Sequence, residues 1–572
     1  MTDSVLIFTF SPVQPFIVEA RRAADLYAGS QILVQLAKSA ASAIEKDHLI
    51  FPAKVGDDVP NRIVARLPFN ACDQVAQAAR EALLKRWREI AGEARAKFLR
   101  KSEVDPAWED IWKRQMAADY LWEVYWAAAS LEGRSYSQAY QEADCALSAV
   151  KRTRAFIAAD EPGLKDTLSG RRQALRTKAL PADAYWKQSA RNWAAAKLRP
   201  NGRERLDAIG LVKRFSSQAE LKVGNFDGFP STSSVASLVF LEQARGKAQH
   251  ELGAFKQALD ALYTGFINLQ KDPYWTYDGD LLYRDTLAKK RLEDDYGVTG
   301  IGEQQLNPLR KQLQALYEAV GEPPSPYYAV IVLDGDNMGK FISACQTEEE
   351  HRQFSRKLSQ FAARVPAVAA DHHGFVVFNG GDDVLAIAPL ATAYELARQL
   401  AAEFHRITGG TASAGMAVTH HQSPLSTALR AARQAEGKAK QIDADKAAVC
   451  ILAMKRSGET LEMRSKWEVA GDKVDQLVRL LKAQRKQNAP LASRFVYDFA
   501  RSAYALPNAD EMLEAELRRL LIRHRNEQHP DKPDPVEWAT RLKVWAAGLP
   551  EGPAELSRWL IFARFIAQGG GE

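Results

Sequence analysis

From residue 327 the chain alternates strand-like and helix-like stretches in an order that few folds accept. "YYAVIVLDGD" is an apolar run rich in β-branched and aromatic residues and reads as a strand. "GKFISACQTEEEHRQFSRKLSQFAARV" carries its apolar residues at helical spacing, and "GFVVFNGGDDVLAIAP" is a hairpin around a glycine-rich turn. "LATAYELARQLAAEFHRI" is a second helix and "ASAGMAVTHH" a fourth strand. The sum is βαββαβ, the ferredoxin-like order. A further helix, "PLSTALRAARQAEGKAKQ", and strand, "AAVCILAMK", complete a domain over residues 321–465.

That order has a chemical consequence. In a βαββαβ unit the first and third strands are neighbours at the sheet centre, so the end of "VIVLDGDNMGK" lies beside the turn "NGGDD". The frame therefore brings Asp334 and Asp336 close to Asp382 and Asp383. Clustered carboxylates at the edge of an apolar sheet repel one another and lose solvation, and a bound divalent cation removes that conflict. Hard oxygen donors favour Mg²⁺ or Mn²⁺ over zinc. Two such ions about 4 Å apart are the arrangement used for nucleotidyl transfer. Gly335, Gly380 and Gly381 would let backbone and phosphates approach closely. Lys438 and Lys440, on the helix after the fourth strand, are candidates to hold a triphosphate. Each motif alone reads as an ordinary turn, "NGGDD" as a hairpin tip and "DGDN" as a loop. Their coincidence in one frame is what points to metal.

The rest of the chain supplies a second, less sharp copy. "SVLIFTF", a long helix "PFIVEARRAADLYAGSQILVQLAKSAASAIEK", the short strands "LIFPAKV" and "NRIVARLP", and a helix from Asn70 make β-α-β-β-α over residues 1–95. Residues 96–320 are mainly helical, and seven of the twelve tryptophans fall between Trp87 and Trp193, as large helices packing on each other require. "GEPPSPYY" is the clearest linker, and residues 466–572 are helical throughout. A chain of 572 residues exceeds one core. The expected class is α+β: two ferredoxin-like domains, a helical insert and an all-α C-terminal domain.

Several functions are disfavoured. No apolar run approaches the roughly 20 residues of a membrane span, and the N-terminus lacks a basic n-region and a small-residue cleavage site. Four scattered cysteines form no CxxC pair, which argues against a disulfide framework and a zinc ribbon and suits the cytoplasm. The formal charge of +6 is too small over this length to mean nucleic-acid binding by itself. The basic stretches "KRWREIAGEARAKFLRK" and "KQSARNWAAAKLRPNGRERL" read as solvated helix faces before phosphate-tracking surfaces. His372, His373, His420 and His421 lack an HxH or HxxxH pattern and read as surface or loop residues. "RSGE" at 456–459 reads as a turn, and the hydroxyls of "FPSTSSVAS" first as a helix cap.

The ordered set "FSPVQPFIVEARRAADLYAGSQIL", "GLVKRF", "GFPSTSSVAS", "VLDGDNMGK", "GFVVFNGGDDVLAIAP", "SAGMAVTHHQSPL" and "LAMKRSGE" resembles the palm-polymerase large subunit of type III CRISPR effector complexes, specifically the second subunit of the Cmr (type III-B) complex, over nearly the whole chain. The resemblance implies two palm domains and a place in an RNA-guided antiviral complex. The implied partners are a CRISPR RNA, target RNA, repeat-associated Cmr subunits and small helical subunits docked on the C-terminal domain. It implies that bound target RNA switches on conversion of ATP to cyclic oligoadenylates. It carries Asp382 and Asp383 over as catalytic metal ligands with Asp334, and Asp336 with them. The "PST" loop, Ser231, Thr232 and Ser233, would lie at a nucleotide pocket with Gly335, Gly380, Gly381 and Lys440.

Two departures bear on activity. Many relatives carry an N-terminal HD nuclease domain, whereas here palm-like sequence begins near residue 4 and no His-Asp dipeptide occurs, so DNA cleavage is not expected. Many relatives also carry a zinc site opening on a "KCxLCG"-like stretch. Here it reads "KDTLSG", with Asp166 and Ser169 in the cysteine positions, so zinc is not expected and hydrogen bonds or packing must hold the region. The alternatives to ATP oligomerisation are a scaffold subunit without turnover and a palm making another adenylated product. A diguanylate cyclase lacks support, because "GGDDVLA" has no phenylalanine after the acidic pair and no sensor domain is apparent. Template-directed polymerisation lacks recognisable fingers or thumb.

Overall fold

The computed structural model describes residues 2–56, 59–153, 161–193, 197–216, 222–223, 226–227, 229–262, 275, 277–483, 488–506 and 511–570. Four strands of the first domain, β1 (Asp3–Ser11), β2 (Leu49–Phe51), β3 (Arg62–Pro68) and β4 (Glu123–Ser130), form an antiparallel sheet in the order β2-β3-β1-β4. This is the ferredoxin-like order, and β4 lies beyond residue 95, after the helices α1 (Ala23–Ser42) and α2 (Cys72–Leu99). The fourth strand reads "EVYWAAAS", too rich in alanine to stand out from the surrounding helical pattern. A helix, α3 (Tyr136–Arg152), covers the face built by Val5, Ile7 and Val64.

In the insert, α4 (Ala208–Ser216) and a short ribbon, β5 (Lys222–Val223) with β6 (Phe226–Asp227), precede α5 (Thr232–Lys247). The second sheet has six strands: β7 (Tyr327–Gly335), β8 (Phe375–Asn379), β9 (Asp383–Pro389), β10 (Ala412–His420), β11 (Ala448–Met454) and β12 (Thr460–Lys466). Their order, β12-β11-β10-β7-β9-β8, contains the ferredoxin-like order in β10-β7-β9-β8. Strand alternation divides β7 between two cores. Ala329, Ile331 and Leu333 pack under α6 (Glu348–Asp371) and α7 (Leu390–Thr408), together with C-terminal residues such as Trp559 and Phe565. Tyr328, Val330 and Val332 share a core with α1, α5 and α8 (Leu425–Ala439).

This second core joins the two palm-like domains. Phe229 stacks on Tyr27 of α1 at 5.2 Å and meets Phe375 of β8 edge-on at 5.9 Å. On the other side Tyr136 of α3 hydrogen-bonds His351 of α6 at 2.7 Å, and Phe51 stacks on the same imidazole. The last helices, from Lys473–Leu481 to Gly552–Ala567, pack beneath the second sheet. Among the described residues no helix is long and apolar enough to cross a membrane.

The "KDTLSG" stretch is tied together by hydrogen bonds. The buried Asp166 carboxylate accepts from the Leu168 and Ser169 amides at 2.8 and 2.6 Å, the Ser169 hydroxyl at 2.6 Å and the Arg172 amide at 3.3 Å. Replacing Asp166 by alanine orphans these donors and is expected to cost about 2–4 kcal/mol. An unchanged denaturation midpoint for Asp166→Ala would refute that role.

Candidate active site

The sheet register sets the carboxylates side by side. Asp334, near the end of β7, pairs directly with Asp383, the first residue of β9. The Gly335 amide donates to the Asp382 carbonyl at 3.0 Å, and the Gly380 amide to the Asp383 carbonyl at 2.8 Å, closing the turn. Gly381 has φ +100°, which a residue with a Cβ rarely adopts, so the "GGDD" tip needs glycine there. Asp334 and Asp383 share the strand parity of Val332 and Leu385, and so open on the face covered by α1, α5 and α8. Gly335 has the opposite parity. A Cβ there would meet the Phe404 ring at 2.8 Å and Met338 at 3.1 Å, so its glycine serves packing beneath the sheet. A Cβ on Gly380 would meet the Phe378 ring at 2.8 Å.

Helix α8 brings the cations. A Cβ on Gly415 of β10 would lie 2.1 Å from the Ala432 carbonyl oxygen and the Glu436 nitrogen, so only glycine lets α8 press this close to the sheet. Lys440, just past the helix end, then pairs with both Asp334 and Glu436. Burial works against its charge, but the hydrogen bonds to Asp334 and Glu436 outweigh it and hold the ammonium above its ordinary pKa. Lys438 points elsewhere and pairs with Glu462 of β12 at 2.5 Å.

The electrostatics match the expected conflict. Burial, reinforced by the Asp334 charge, pushes Asp382 up to about 6. The same two causes push Asp383 up to about 7, against the pull of Arg433. Carboxylates raised in the fold bear a penalty when ionised, so stability falls as pH rises through the interval from about 4 to 7. Asp383→Asn is therefore expected to stabilise the metal-free protein at pH 8 by about 1–2 kcal/mol, with the gain shrinking toward pH 5. Melting in chelator at the two pH values checks this, and an equal gain at both would contradict it.

Asp336 is held differently from the other three: its Oδ2 is taken up by hydrogen bonds, while its Oδ1 is buried without a hydrogen-bond partner among the described residues. It is wholly buried, and its Oδ2 accepts from Thr411 Oγ1 at 3.0 Å, Ser413 Oγ at 3.1 Å and the Ala447 amide at 3.0 Å. It ties the end of β7 to the start of β10 and to the loop before β11. Among the described residues no three or more His, Cys, Asp or Glu side chains form a group that could hold a metal ion. In chemistry the donors still fit a hard dication: Asp334, Asp382 and Asp383 offer carboxylate oxygens whose ionisation is opposed by burial and by one another. The Lys440 ammonium occupies Asp334 in this arrangement.

The "PST" loop lies away from the carboxylates. Ser231 caps α5 through the Ser234 amide at 3.1 Å and donates to Asp278 at 3.0 Å; Thr232 donates to the His421 carbonyl at 3.2 Å; Ser233 bonds His421 Nδ1 at 2.8 Å. On β10, Ser413 lies opposite Asp334 and His420 opposite Tyr327. The strand between them spans about 23 Å at roughly 3.3 Å per residue. These hydroxyls thus join the insert to the far end of the sheet, and capping together with the bonds to His421 and Asp278 occupies them. His420 and His421 are buried there, unlike the surface positions expected for them, and His421 stacks on Tyr283 at 4.1 Å.

Residues 327–450, which hold Asp334, the "GGDD" turn, α8 and Lys440, match the second palm domain of Cas10/Cmr2. Residues 5–58 match the N-terminal region of the CRISPR-associated protein Cmr2. Two separate stretches of the chain thus match models of Cas10/Cmr2 proteins. The Cmr subunit Cmr2 of Pyrococcus furiosus is 25% identical over 612 residues, covering 90% of this chain and 69% of that protein. Two solved structures share the fold: type III-B Cmr-beta in its apo state (TM-score 0.69, 13% identity, 100% of this chain and 82% of that one) and Cmr-beta bound to cognate target RNA (TM-score 0.69, 14% identity, 100% and 83%). Near these carboxylates the charged residues that sequence reasoning passed over are Arg433 and Glu436. Their spacing to Lys440, seven and four positions earlier on one helix face, is a signal in the sequence that was not used.

Proposed function

We propose that this chain is the palm subunit of a type III-B effector complex, in which bound target RNA activates metal-dependent conversion of ATP into cyclic oligoadenylates. The register pairing of Asp334 with Asp383, beside Asp382, carries the reading. Mg²⁺ or Mn²⁺ held by Asp334, Asp382 and Asp383 would supply Lewis-acid activation of a ribose hydroxyl and neutralise the departing pyrophosphate. The chain itself holds these carboxylates half-buried, where charge interactions are stronger than in water. It also provides a turn rigid enough to fix Asp382 and Asp383, and the Lys440 ammonium beside Asp334. In the reaction the 3′-oxygen of one nucleotide forms a bond to the α-phosphorus of another, and the bond to pyrophosphate breaks. A CRISPR RNA, target RNA and the other Cmr subunits are the partners on this reading, supported by the likeness to Cmr2 and to the RNA-bound Cmr-beta fold.

One observation favours a second reading. Lys440 pairs with Asp334, and hydrogen bonds take up Asp336 Oδ2, as a scaffold subunit without turnover would tolerate. Product analysis by chromatography and mass spectrometry separates the two. The assembled complex, given ATP, Mg²⁺ and matching target RNA, is expected to yield cyclic oligoadenylates only when the target is present. A different adenylated product would keep the site and change the product, and no consumption of ATP by a target-bound complex would favour the scaffold.

A further inference from the structure

Three charged residues line one edge of α8 above the carboxylates: Arg433, Glu436 and, two turns from the first, Lys440. Two of them are satisfied. Lys440 is bracketed by Asp334 and Glu436, and on the same stretch Lys438 is held by Glu462. Arg433 differs. Its Nε is buried without a hydrogen-bond partner, and among the described residues its guanidinium makes no ion pair, although it lies near enough to Asp383 to favour that carboxylate's charged form. A half-buried guanidinium costs desolvation energy unless an anion meets it. The neighbouring aspartates would be engaged by metal in the nucleotidyl-transfer reading, on which this inference rests. The anion that remains is the substrate's own.

We propose that Arg433 receives the phosphate chain of the nucleoside triphosphate bound at Asp334, Asp382 and Asp383, the part that sequence reasoning assigned to Lys438 and Lys440. Its planar fork suits two phosphate oxygens at once, which a lysine ammonium cannot match. Glu436 has a positioning part: by holding Lys440 against Asp334 it keeps that ammonium off the phosphates and leaves Arg433 as the first cation they meet.

Equilibrium binding to the assembled, target-bound complex tests this, with α,β-methylene-ATP as a probe that cannot release pyrophosphate, and AMP as its comparison. Arg433→Gln is expected to weaken binding of the triphosphate about tenfold, the loss of one charge-assisted contact, while changing AMP affinity less than twofold. Arg433→Lys, which keeps the charge and loses the fork, is expected to fall between, and it controls for misfolding because the helix face keeps its cation. Triphosphate affinity of Arg433→Gln within twofold of wild type overturns the assignment, as does an equal loss for AMP. Should the wild-type complex bind the triphosphate with no preference over AMP, the nucleotidyl-transfer reading fails with it. Loss of turnover in aspartate variants beside normal triphosphate binding by Arg433→Gln would sink this inference alone.

Discussion

Asp382→Ala/Asp383→Ala is expected to lower target-dependent ATP turnover at least about 10³-fold, because the reaction loses two of the three oxygen donors that would hold the activating cation, a loss of roughly 4 kcal/mol in transition-state stabilisation. The change should not harm the fold. Both carboxylates are raised well above the ordinary range by burial and by Asp334, so their removal relieves a penalty near neutral pH. The double variant should therefore assemble and bind target RNA as wild type does, with a melting temperature equal or higher. Rates from labelled ATP, read beside a size-exclusion profile of the complex, make the check. Full turnover in the variant would remove these aspartates from the chemistry, and loss of assembly would assign them a structural role.

The second large effect is on stability. Arg214 of α4 is entirely buried, donates to Asp25 of α1 at 2.8 and 2.7 Å and to Glu204 at 2.6 Å, and Arg21 meets Glu204 from the other side at 2.7 Å. For Asp25, burial favours the neutral form, but Arg214 outweighs it and holds the pKa below the ordinary range; Glu204 is likewise depressed, by Arg21 and Arg214 against burial. Depressed carboxylates contribute stability above their unfolded pKa, near pH 4, and lose it as pH falls further. Arg214→Ala strands buried negative charge and is expected to cost about 3–5 kcal/mol at pH 7. The damage should reach the second domain, because α1 shares the core of β7–β9. Arg214→Met/Asp25→Asn, which removes charge from both sides, is expected to recover part of the loss. Chemical denaturation of the three proteins decides it, and a cost below about 1 kcal/mol for Arg214→Ala would show the network to be dispensable.

The "KDTLSG" and "FPSTSSVAS" stretches illustrate how differently short motifs translate into structure. "KDTLSG" keeps a local knuckle because Asp166 finds all its donors within six residues, at Leu168, Ser169 and Arg172. Local hydrogen bonding of this kind is readable from the stretch itself. Ser231–Ser233 read first as a helix cap, and by resemblance as part of a nucleotide pocket. Ser231 does cap α5, but the partners of the other two hydroxyls sit on His421, almost two hundred residues away.

The sequence by itself determined the frame: strand periodicity, the order βαββαβ and the glycine turn together require β7 beside β9, and hence Asp334 beside Asp383. That follows because strand pairing in such a unit has one topology, and a period of two assigns each side chain its face. Tertiary structure decided the rest. It sent Asp336 into the sheet because Thr411, Ser413 and the Ala447 amide, all from segments far along the chain, converge there with donors. It put α8 close enough, through Gly415, for Lys440 to reach Asp334 and for Arg433 to stand near Asp383 with no ion pair among the described residues. A charge on a helix is free or engaged according to what packs opposite it, and that partner is set by the fold rather than by the residue's own neighbours.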